Sequence, residues 1–249
     1  MLIAEQLSKE YTVKKNRKTS RFYAVKPVSL TMENGKRYAL VGESGSGKTT
    51  LAHMLAGIIK PTKGSVLLDG QNIFTAKNRR TVYKKLQIIF QDAGSSLNPW
   101  MTVYNLIAEP LRNLLNISRE EEKNRVYELM NRMGLSLELC KRKPRELSGG
   151  QQKRVSIARA VGVKPEIIIF DEAFSGLDVI VRKNILELLY ELHEELKCTY
   201  LMITHDIDVA LYSADTIFVM KDGEIVERVE YEGDIKCFTH EYSRLLLLK

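Results

Sequence analysis

A glycine-rich stretch between an apolar strand and a helix most constrains how this chain can fold. Residues 42–49 read Gly-Glu-Ser-Gly-Ser-Gly-Lys-Thr and fit the pattern G-x-x-x-x-G-K-[ST]. The apolar run 38–41 before it predicts a strand, and residues 50–58 after it predict a helix. In that context glycines let successive backbone N–H groups turn inward toward phosphate oxygens, where side chains would obstruct the path. This stretch, the phosphate loop, predicts a nucleoside-triphosphate site rather than an ordinary glycine-rich turn.

Two side chains at the end of the phosphate loop have the chemistry that a bound nucleotide needs. The Lys48 ammonium can reach the β- and γ-phosphates, and the Thr49 hydroxyl can coordinate Mg²⁺. The start of the following helix adds unpaired N–H donors and a partial positive charge. The residues expected to contact the nucleotide here are Gly42, Glu43, Ser44, Gly45, Ser46, Gly47, Lys48, Thr49 and Thr50.

Composition indicates a globular protein but leaves its partner open. The chain has 249 residues, of which 44% are hydrophobic and 28% charged, which suits one large domain or one domain with inserted lobes. Its net charge of +7 permits nucleic acid, anionic lipid or simply a nucleotide. The basic residues form three clusters of the kind that most often are solvated faces. These clusters are Lys14, Lys15, Arg17, Lys18 and Arg21; Arg79, Arg80, Lys84 and Lys85; and Lys141, Arg142, Lys143 and Arg145.

The cysteines and the hydropathy of the chain indicate the cellular compartment in which we expect it. Cys140, Cys198 and Cys237 are odd in number and far apart, which predicts reduced thiols of a cytosolic protein rather than disulfides or zinc ligands. The N-terminus lacks a signal pattern, and no apolar run approaches the roughly 18 residues of a membrane-spanning helix. We therefore expect a soluble chain, which leaves docking on a membrane protein open.

The segments before the phosphate loop predict strands. Residues 2–7 and 24–32 have strand character, and the basic segment 14–21 between them is predicted to be a loop. The aromatic residues here offer one ring that could stack on a purine, and ordinary sheet packing explains them equally well. These residues are Tyr11, Phe22 and Tyr23.

The middle of the chain changes from strand to helical patterns. Residues 86–90 predict a buried parallel strand ending at Gln91, which either contacts a ligand at the carboxyl end of the strand or simply leaves the core. Residues of about 92–163 predict a helical lobe inserted into an α/β core. Within it, residues 102–115 have helical spacing interrupted at Pro110, and a capping box at Ser118 opens the next helix.

A second anion-binding helix start is predicted at residues 147–151, Leu-Ser-Gly-Gly-Gln. Ser148 is suited to cap the helix, and the two glycines leave backbone N–H groups open to an anion. A simple helix cap is the alternative. On the inserted lobe this segment is expected to lie too far from the phosphate loop to touch the same nucleotide. A second subunit arranged head to tail would bring it to the partner's nucleotide.

Two further strand ends carry polar residues. The apolar run 167–170 ends in Asp171, which would hold Mg²⁺ directly or through water, and Glu172, which would orient the attacking water. A solvated strand end is the alternative. A loop at 175–178 and a helix at 179–196 follow. Residues 199–203 predict another strand, after which His205 would either donate a hydrogen bond to the γ-phosphate or serve a structural role.

Together these motifs resemble those of the ATP-binding-cassette (ABC) ATPases, and the resemblance covers essentially the whole chain. In family terms, residues 42–49 match the Walker A motif and residues 167–172 match Walker B. Gln91 matches the Q-loop, and residues 147–151 match the LSGGQ signature. Residues 175–178 match the D-loop, and His205 matches the switch histidine. The signature is the discriminating motif, because other P-loop enzymes lack it. Ala173 departs from the proline that many relatives have after the glutamate.

The resemblance implies a fold and a set of roles. The fold is an α/β P-loop ABC ATPase with a RecA-like core, an N-terminal antiparallel β-subdomain and the inserted helical subdomain, all within residues 1–249. ATP and Mg²⁺ are the implied cofactors. The implied magnesium ligands are Thr49, Gln91 and Asp171, and the implied catalytic residues are Glu172 and His205. The resemblance also implies that Tyr11 contacts adenine. In a dimer, the remaining implied nucleotide contacts are Ser148, Gly149, Gly150, Gln151 and Asp178. Residues 13–22 are a local insertion beside Tyr11.

Within the family, Gln91-Asp92 followed by residues 95–99 resembles the oligopeptide, dipeptide and nickel uptake systems, and residues 240–244 resemble the start of their C-terminal extension. The short remainder leans toward the nickel or metal-chelate branch. Such importers imply a second, usually different ATPase subunit, two transmembrane permease subunits and an extracytoplasmic substrate-binding protein, with this chain at the cytoplasmic face of the membrane. A soluble ABC ATPase acting on nucleic acid or ribosomes, which the charge permits, and an exporter subunit are the alternatives; we expect no nucleic-acid partner.

Overall fold

The computed structural model describes residues 1–15, 18–75, 77, 79–176 and 178–248. Arg17 of the first basic cluster and Leu177 of the predicted D-loop lie outside this range. The strands are β1 (Leu2–Lys15), β2 (Lys18–Met32), β3 (Arg37–Val41), β4 (Lys63–Leu68), β5 (Gln71–Asn72), β6 (Leu86–Ile89), β7 (Ile167–Asp171), β8 (Thr199–Thr204), β9 (Thr216–Lys221) and β10 (Glu224–Glu230).

Helices occupy much of the remaining chain. They are α1 (Lys48–Leu55), α2 (Arg79–Lys85), α3 (Ala93–Ser96), α4 (Val103–Leu114), α5 (Arg119–Arg132), α6 (Gly149–Val161), α7 (Val179–Leu196), α8 (Ile207–Ser213) and α9 (Glu241–Leu246), with short 3-10 helices at Leu137–Lys141, Pro144–Glu146 and Ile235–Cys237. Among the described residues, no helix has the length and apolar composition that crossing a bilayer requires.

The chain divides into two compact units. The first comprises Met1–Arg79 and Thr199–Lys249. It contains an antiparallel sheet with strand order β2-β1-β4-β5. It also contains β3, which lies between β8 and β9 and is parallel to both, and β10, which pairs antiparallel with β9. The parallel strands are buried almost throughout, which explains why they consist of nearly continuous apolar runs.

The prediction of a loop over residues 14–21 is wrong where the structure describes them. β1 and β2 continue to Lys15 and from Lys18, with Tyr11 opposite Phe22 and Lys15 opposite Lys18. The charged residues of this segment indicated a loop, but two short runs of strand-forming residues flank them, Tyr-Thr-Val at 11–13 and Phe-Tyr at 22–23. Pairing these runs satisfies backbone groups that a loop would leave to water.

The second unit comprises Arg80–Cys198. Its strands β6 and β7 pair in parallel, with Leu86 opposite Ile167 and Ile89 opposite Phe170. Between these two strands the described chain forms helices α3 to α6 and two of the 3-10 helices. Helix α4 runs through Pro110 rather than stopping there, and Pro110 is itself buried in the apolar face of α4. Burial of that face outweighs the hydrogen bond that proline cannot make.

Other predicted features are confirmed. The Ser118 hydroxyl accepts the Glu121 N–H, and the Glu121 carboxylate accepts the Ser118 N–H, which completes the predicted capping box. The three cysteines are free thiols, and burial raises the pKa of Cys140 and of Cys237. The side chains of the second and third basic clusters are exposed, apart from half-buried Lys85, as solvated faces would be.

Candidate nucleotide-binding site

The phosphate loop connects β3 to α1, at the carboxyl end of a buried parallel strand. Helix α1 begins at Lys48, two residues before the predicted start, and ends at Leu55, shortly before Gly57 adopts a left-handed conformation with φ of 74°. Gly47 is the N-cap of α1, whose first turn has no acidic residue and no side-chain cap within the described chain. The N–H groups of this first turn are therefore suited to an anion.

Two glycines of the phosphate loop are required by close backbone approach. A Cβ at Gly42 would lie 2.1 Å from the Met220 carbonyl oxygen, and one at Gly47 would lie 2.2 Å from the Ala24 carbonyl oxygen. Gly47 also has φ of 104°, a conformation that L side chains rarely adopt. Gly45 differs, because its φ is 83° but a Cβ would meet nothing within 4 Å. The loop is thus held tightly at its two ends and has open space at its middle.

Lys48 is buried inside the phosphate loop, with 3% of its surface exposed. Its ammonium donates to the carbonyl oxygens of Gly42 and Glu43, at 2.8 Å each, and lies 3.5 Å from the Ser46 hydroxyl. A buried cation needs such acceptors. The arrangement fits a triphosphate, because two carbonyl groups orient the lysine at the start of α1, whose first-turn N–H groups suit phosphate oxygens.

Two hydrogen bonds that the sequence did not reveal hold the phosphate loop, and a third holds the turn that makes one of them. The Gly223 N–H, in the turn between β9 and β10, donates to the Ser46 carbonyl at 3.0 Å. The Gly223 carbonyl in turn accepts the Lys26 N–H at 2.9 Å. The Tyr242 hydroxyl accepts the Glu43 N–H at 3.0 Å. Only the turn at 222–223 had a sequence signal, as Asp-Gly, and that signal does not indicate what the turn contacts.

His205 follows β8 at the same sheet edge as the phosphate loop. Val41 of β3 is the register partner of Thr204 of β8, so the residues directly after both strands emerge side by side. His205 is exposed, and the next residue, Asp206, caps α8 by accepting the N–H groups of Asp208 and Val209. Within the first unit, the structure therefore brings the predicted histidine to the predicted loop.

The two carboxylates of the second unit have different environments. Asp171 ends β7 with 4% of its surface exposed. Glu172 follows with φ of 46°, a left-handed conformation that is uncommon for glutamate. Its carbonyl accepts both the N–H and the hydroxyl of Ser175, at 3.2 and 2.9 Å. These bonds hold the turn that follows β7.

Gln91 emerges beside this strand end, as the register of Ile89 with Phe170 requires. Its side chain is exposed, whereas its carbonyl and that of Phe90 each accept the Lys153 ammonium at 3.1 Å. Burial lowers the pKa of Lys153 to about 8. Lys153 was not predicted from the sequence, and it bonds helix α6 directly to the Q-loop backbone.

The predicted N-cap at Ser148 is present and belongs to a full capping box. The Ser148 hydroxyl accepts the Gln151 N–H at 3.2 Å, and the Gln151 side chain accepts the Ser148 N–H at 2.9 Å. A Cβ at Gly149 would meet nothing within 4 Å, whereas one at Gly150 would lie 3.4 Å from the Val181 side chain. Asp178 caps α7 by accepting the Val181 N–H at 2.9 Å and is itself exposed.

The aromatic candidates lie on the β1–β2 hairpin. The Tyr11 and Phe22 ring centroids are 5.9 Å apart, and the Lys9 ammonium lies 5.2 Å from the Tyr11 centroid. Phe22 and Tyr23 are about half exposed. All three rings therefore remain candidates, and the adenine contact of Tyr11 stays a prediction.

Magnesium ligands were predicted at Thr49, Gln91 and Asp171. The part of the chain that the structure describes holds no group of three or more histidine, cysteine or acidic residues arranged to bind a metal ion. A nucleotide-bound Mg²⁺ does not need such a cage, because phosphates and waters supply most of its ligands beside one or two carboxylates. The predicted set of one hydroxyl, one amide and one carboxylate has the hard oxygen donors that this ion prefers.

Comparison with known proteins identifies the family. A profile described as ABC transporter matches residues 25–175, more than half of the chain. The oligopeptide transport ATP-binding protein OppF of Lactococcus lactis subsp. lactis is 39% identical over 234 residues, which cover 93% of this chain and 73% of that protein. The dipeptide transport ATP-binding protein DppF of Haemophilus influenzae is 37% identical over 251 residues, covering 99% and 77%.

Solved structures agree with this match and confirm the predicted fold class. The dimeric, post-hydrolysis structure of the ATP-binding cassette MJ0796 bound to ADP and Pi has a TM-score of 0.84 at 31% identity, covering 94% of this chain and all of that one. The cbiO1 subunit of the cbiONQ transporter complex from Clostridium perfringens has a TM-score of 0.77 at 31% identity, covering 92% and 88%. On these grounds the chain belongs to the ABC transporter family, among its ATP-binding subunits.

Proposed function

We propose that this chain is the ATP-hydrolysing subunit of a membrane importer for oligopeptides or dipeptides. The observation that carries the enzymatic part is the buried Lys48, which two carbonyls hold inside a loop where close backbone approach requires glycine at Gly42 and Gly47. The transport part rests on the family and on relatives named for oligopeptide and dipeptide transport.

The first unit supplies the groups that are proposed to bind the phosphates and the adenine. Lys48 binds the β- and γ-phosphates, and the backbone N–H groups of the loop and of the first turn of α1 bind the remaining phosphate oxygens. Thr49 presents its hydroxyl to Mg²⁺. His205 donates a hydrogen bond to the γ-phosphate from the neighbouring strand end, and Tyr11 stacks on adenine.

The second unit supplies the groups that act on water and metal. Asp171 and Gln91 would provide oxygen ligands for Mg²⁺, which would offset phosphate charge when bound. Glu172 accepts a hydrogen bond from the attacking water and orients it toward the γ-phosphorus. Asp171 is buried at the end of β7, whereas Glu172 lies in the left-handed turn after it, and we assign the ligand role to the first and the base role to the second.

The signature segment, residues 147–151, is proposed to act in a dimer. Ser148, Gly149, Gly150 and Gln151 would approach the partner subunit's ATP, with the Ser148 hydroxyl and the open N–H groups at the start of α6 as donors. Asp178 would lie at the same interface. We propose that residues of about 92–163 form the helical subdomain that carries this segment, and that the partner is a second, different ATPase, with a homodimer as the alternative.

Assembly and location follow from the family. ATP-binding subunits of peptide importers work with permeases and a substrate-binding protein, and we propose two permease subunits, with this chain peripheral at the cytoplasmic face of the membrane. The names of the relatives favour import over the nucleic-acid and exporter alternatives. They also favour peptides, and the metal-chelate branch remains a prediction that these names do not test.

The experiment is substrate uptake in cells that lack the native copy and carry either the wild type or Glu172→Gln. This change keeps the shape of the side chain but removes the base. We expect ATP binding to be retained, whereas hydrolysis and uptake of a labelled oligopeptide fall by about 10²–10³. Uptake of labelled nickel, measured in parallel, separates the peptide branch from the metal-chelate branch.

The matched control is Glu191→Gln, which makes the same chemical change at an exposed position of α7. It should leave both hydrolysis and uptake at wild-type levels. Undiminished hydrolysis by Glu172→Gln in the assembled transporter would remove Glu172 from its proposed role. If cells carrying the wild type take up neither the labelled oligopeptide nor labelled nickel, the importer assignment is contradicted.

A further inference from the structure

A residue near the C-terminus contacts the phosphate loop. Tyr242 lies on α9 with 6% of its surface exposed, and its hydroxyl accepts the Glu43 N–H at 3.0 Å. The two residues are 199 positions apart in the chain. The Lys221 ammonium lies 4.8 Å from the centroid of the Tyr242 ring, within cation–π distance. The tyrosine is therefore held on its ring face as well as at its hydroxyl.

Helix α9 is fixed in place by a carboxylate of β10. One Glu227 carboxylate oxygen accepts the Thr239 N–H at 2.7 Å, the Thr239 hydroxyl at 2.8 Å and the His240 N–H at 3.0 Å. These are the residues directly before α9, and His240 caps the helix. Charge-assisted bonds of this kind are among the stronger hydrogen bonds in proteins. Tyr242 consequently presents its hydroxyl from a rigid support.

The bond acts on one particular peptide group, the one that joins Gly42 to Glu43. The N–H of this group donates to Tyr242, and its carbonyl, the Gly42 oxygen, accepts the Lys48 ammonium at 2.8 Å. A peptide group is planar, so its N–H and carbonyl turn together. Fixing the N–H therefore fixes the direction of the carbonyl that orients Lys48.

We propose that Tyr242 is a positioning residue for nucleotide binding, acting through the Gly42–Glu43 peptide on the ammonium of Lys48. The inference rests on the proposed ATP site and adds to it a residue of the C-terminal stretch 240–244, to which the sequence assigned no nucleotide-binding role. Without the hydroxyl, the peptide can rotate and the Lys48 ammonium loses a fixed acceptor. The loop then spends part of its time with the lysine turned from the phosphates.

The test compares Tyr242→Phe with a matched variant, Tyr38→Phe. Each change removes a hydroxyl that accepts a backbone N–H, from Glu43 at 3.0 Å and from Glu33 at 2.8 Å. Tyr242→Phe keeps the ring that faces Lys221. We expect both variants to unfold at slightly lower temperatures, but only Tyr242→Phe to weaken binding of a slowly hydrolysed MgATP analogue, by about fivefold for one hydrogen bond.

Amide hydrogen exchange at Glu43 is the second measurement and remains informative if the variant is less stable. It should be faster in Tyr242→Phe than in Tyr38→Phe. Equal nucleotide affinities of the two variants would overturn the proposal, even if exchange at Glu43 is faster, because the contact would then be structural alone. Failure of the wild-type chain to bind the analogue would instead contradict the proposed ATP site.

Discussion

Replacing Gly47 with alanine tests how tightly the sheet holds the phosphate loop. The new Cβ would lie 2.2 Å from the Ala24 carbonyl oxygen and 2.9 Å from the Met220 methyl carbon. Ordinary carbon–oxygen contacts begin near about 3.3 Å, so the loop and β2 must separate by roughly 1 Å. Neither can move easily, because β2 pairs along β1 and the Ser46 carbonyl is bonded to Gly223.

The matched variant is Gly45→Ala, in the same loop. Both positions have positive φ, which costs an L residue about 1–2 kcal/mol, but at Gly45 nothing lies within 4 Å of the added carbon. The two variants therefore differ mainly by the overlap at Gly47, which is worth about 1–3 kcal/mol by analogy with overpacked cores. At about 3 °C per kcal/mol for a chain of this size, their melting temperatures should differ by about 3–9 °C.

Thermal unfolding followed by circular dichroism, with and without MgATP, measures both consequences. Gly47→Ala should melt at the lower temperature and gain less stabilisation from the nucleotide, because its loop is displaced. Gly45→Ala should keep most of the nucleotide-dependent shift. Equal melting temperatures for the two variants would refute the reasoning, since the steric contact would then be absorbed without displacing the loop.

Two further predictions concern the second unit. Ser148→Ala and Ser118→Ala each break a capping box, so each should lower the free energy of unfolding by about 1 kcal/mol. Only Ser148→Ala should also reduce ATP hydrolysis in the assembled transporter. If the two variants hydrolyse ATP at equal rates, Ser148 serves as a helix cap alone. Glu122 is buried, and its bidentate ion pair with Arg112 lowers the pKa of its carboxyl. Glu122→Gln should lower the unfolding free energy by about 1–3 kcal/mol at pH 7. The difference should begin to shrink below pH ~4.5, the ordinary pKa of glutamate, and should vanish as the pH falls through the lowered pKa of the folded carboxyl, where the wild type also loses the pair through protonation. A pH-independent difference in urea titrations would contradict this.

The candidate site residues could be predicted from the sequence because each motif is local. A phosphate loop needs a strand, glycines and a helix within a short stretch, and Gly42, Gly47 and Lys48 therefore appear together in the chain. The carboxylates after β7 and the cap of α6 are equally local, since strand ends and helix starts depend on neighbouring residues. The sequence did not predict that β1 and β2 pair as far as Lys15 and Lys18, because charged residues there indicated a loop. The pairing of the strand-forming runs depends on the opposite strand, which a local pattern does not show.

What only the tertiary structure decided is which distant residues hold these motifs in place. Tyr242 and Gly223 bond to the phosphate loop, and Lys153 bonds to the carbonyls of Phe90 and Gln91, from positions tens to nearly two hundred residues away. In each case a backbone N–H or carbonyl takes part, and every residue except proline has both groups. Such a bond imposes no residue type on the backbone side, so it leaves no pattern in the sequence. The sequence by itself thus predicted which groups would contact a nucleotide, whereas the packing of the sheet and the C-terminal helix decided which distant residues hold those groups in place.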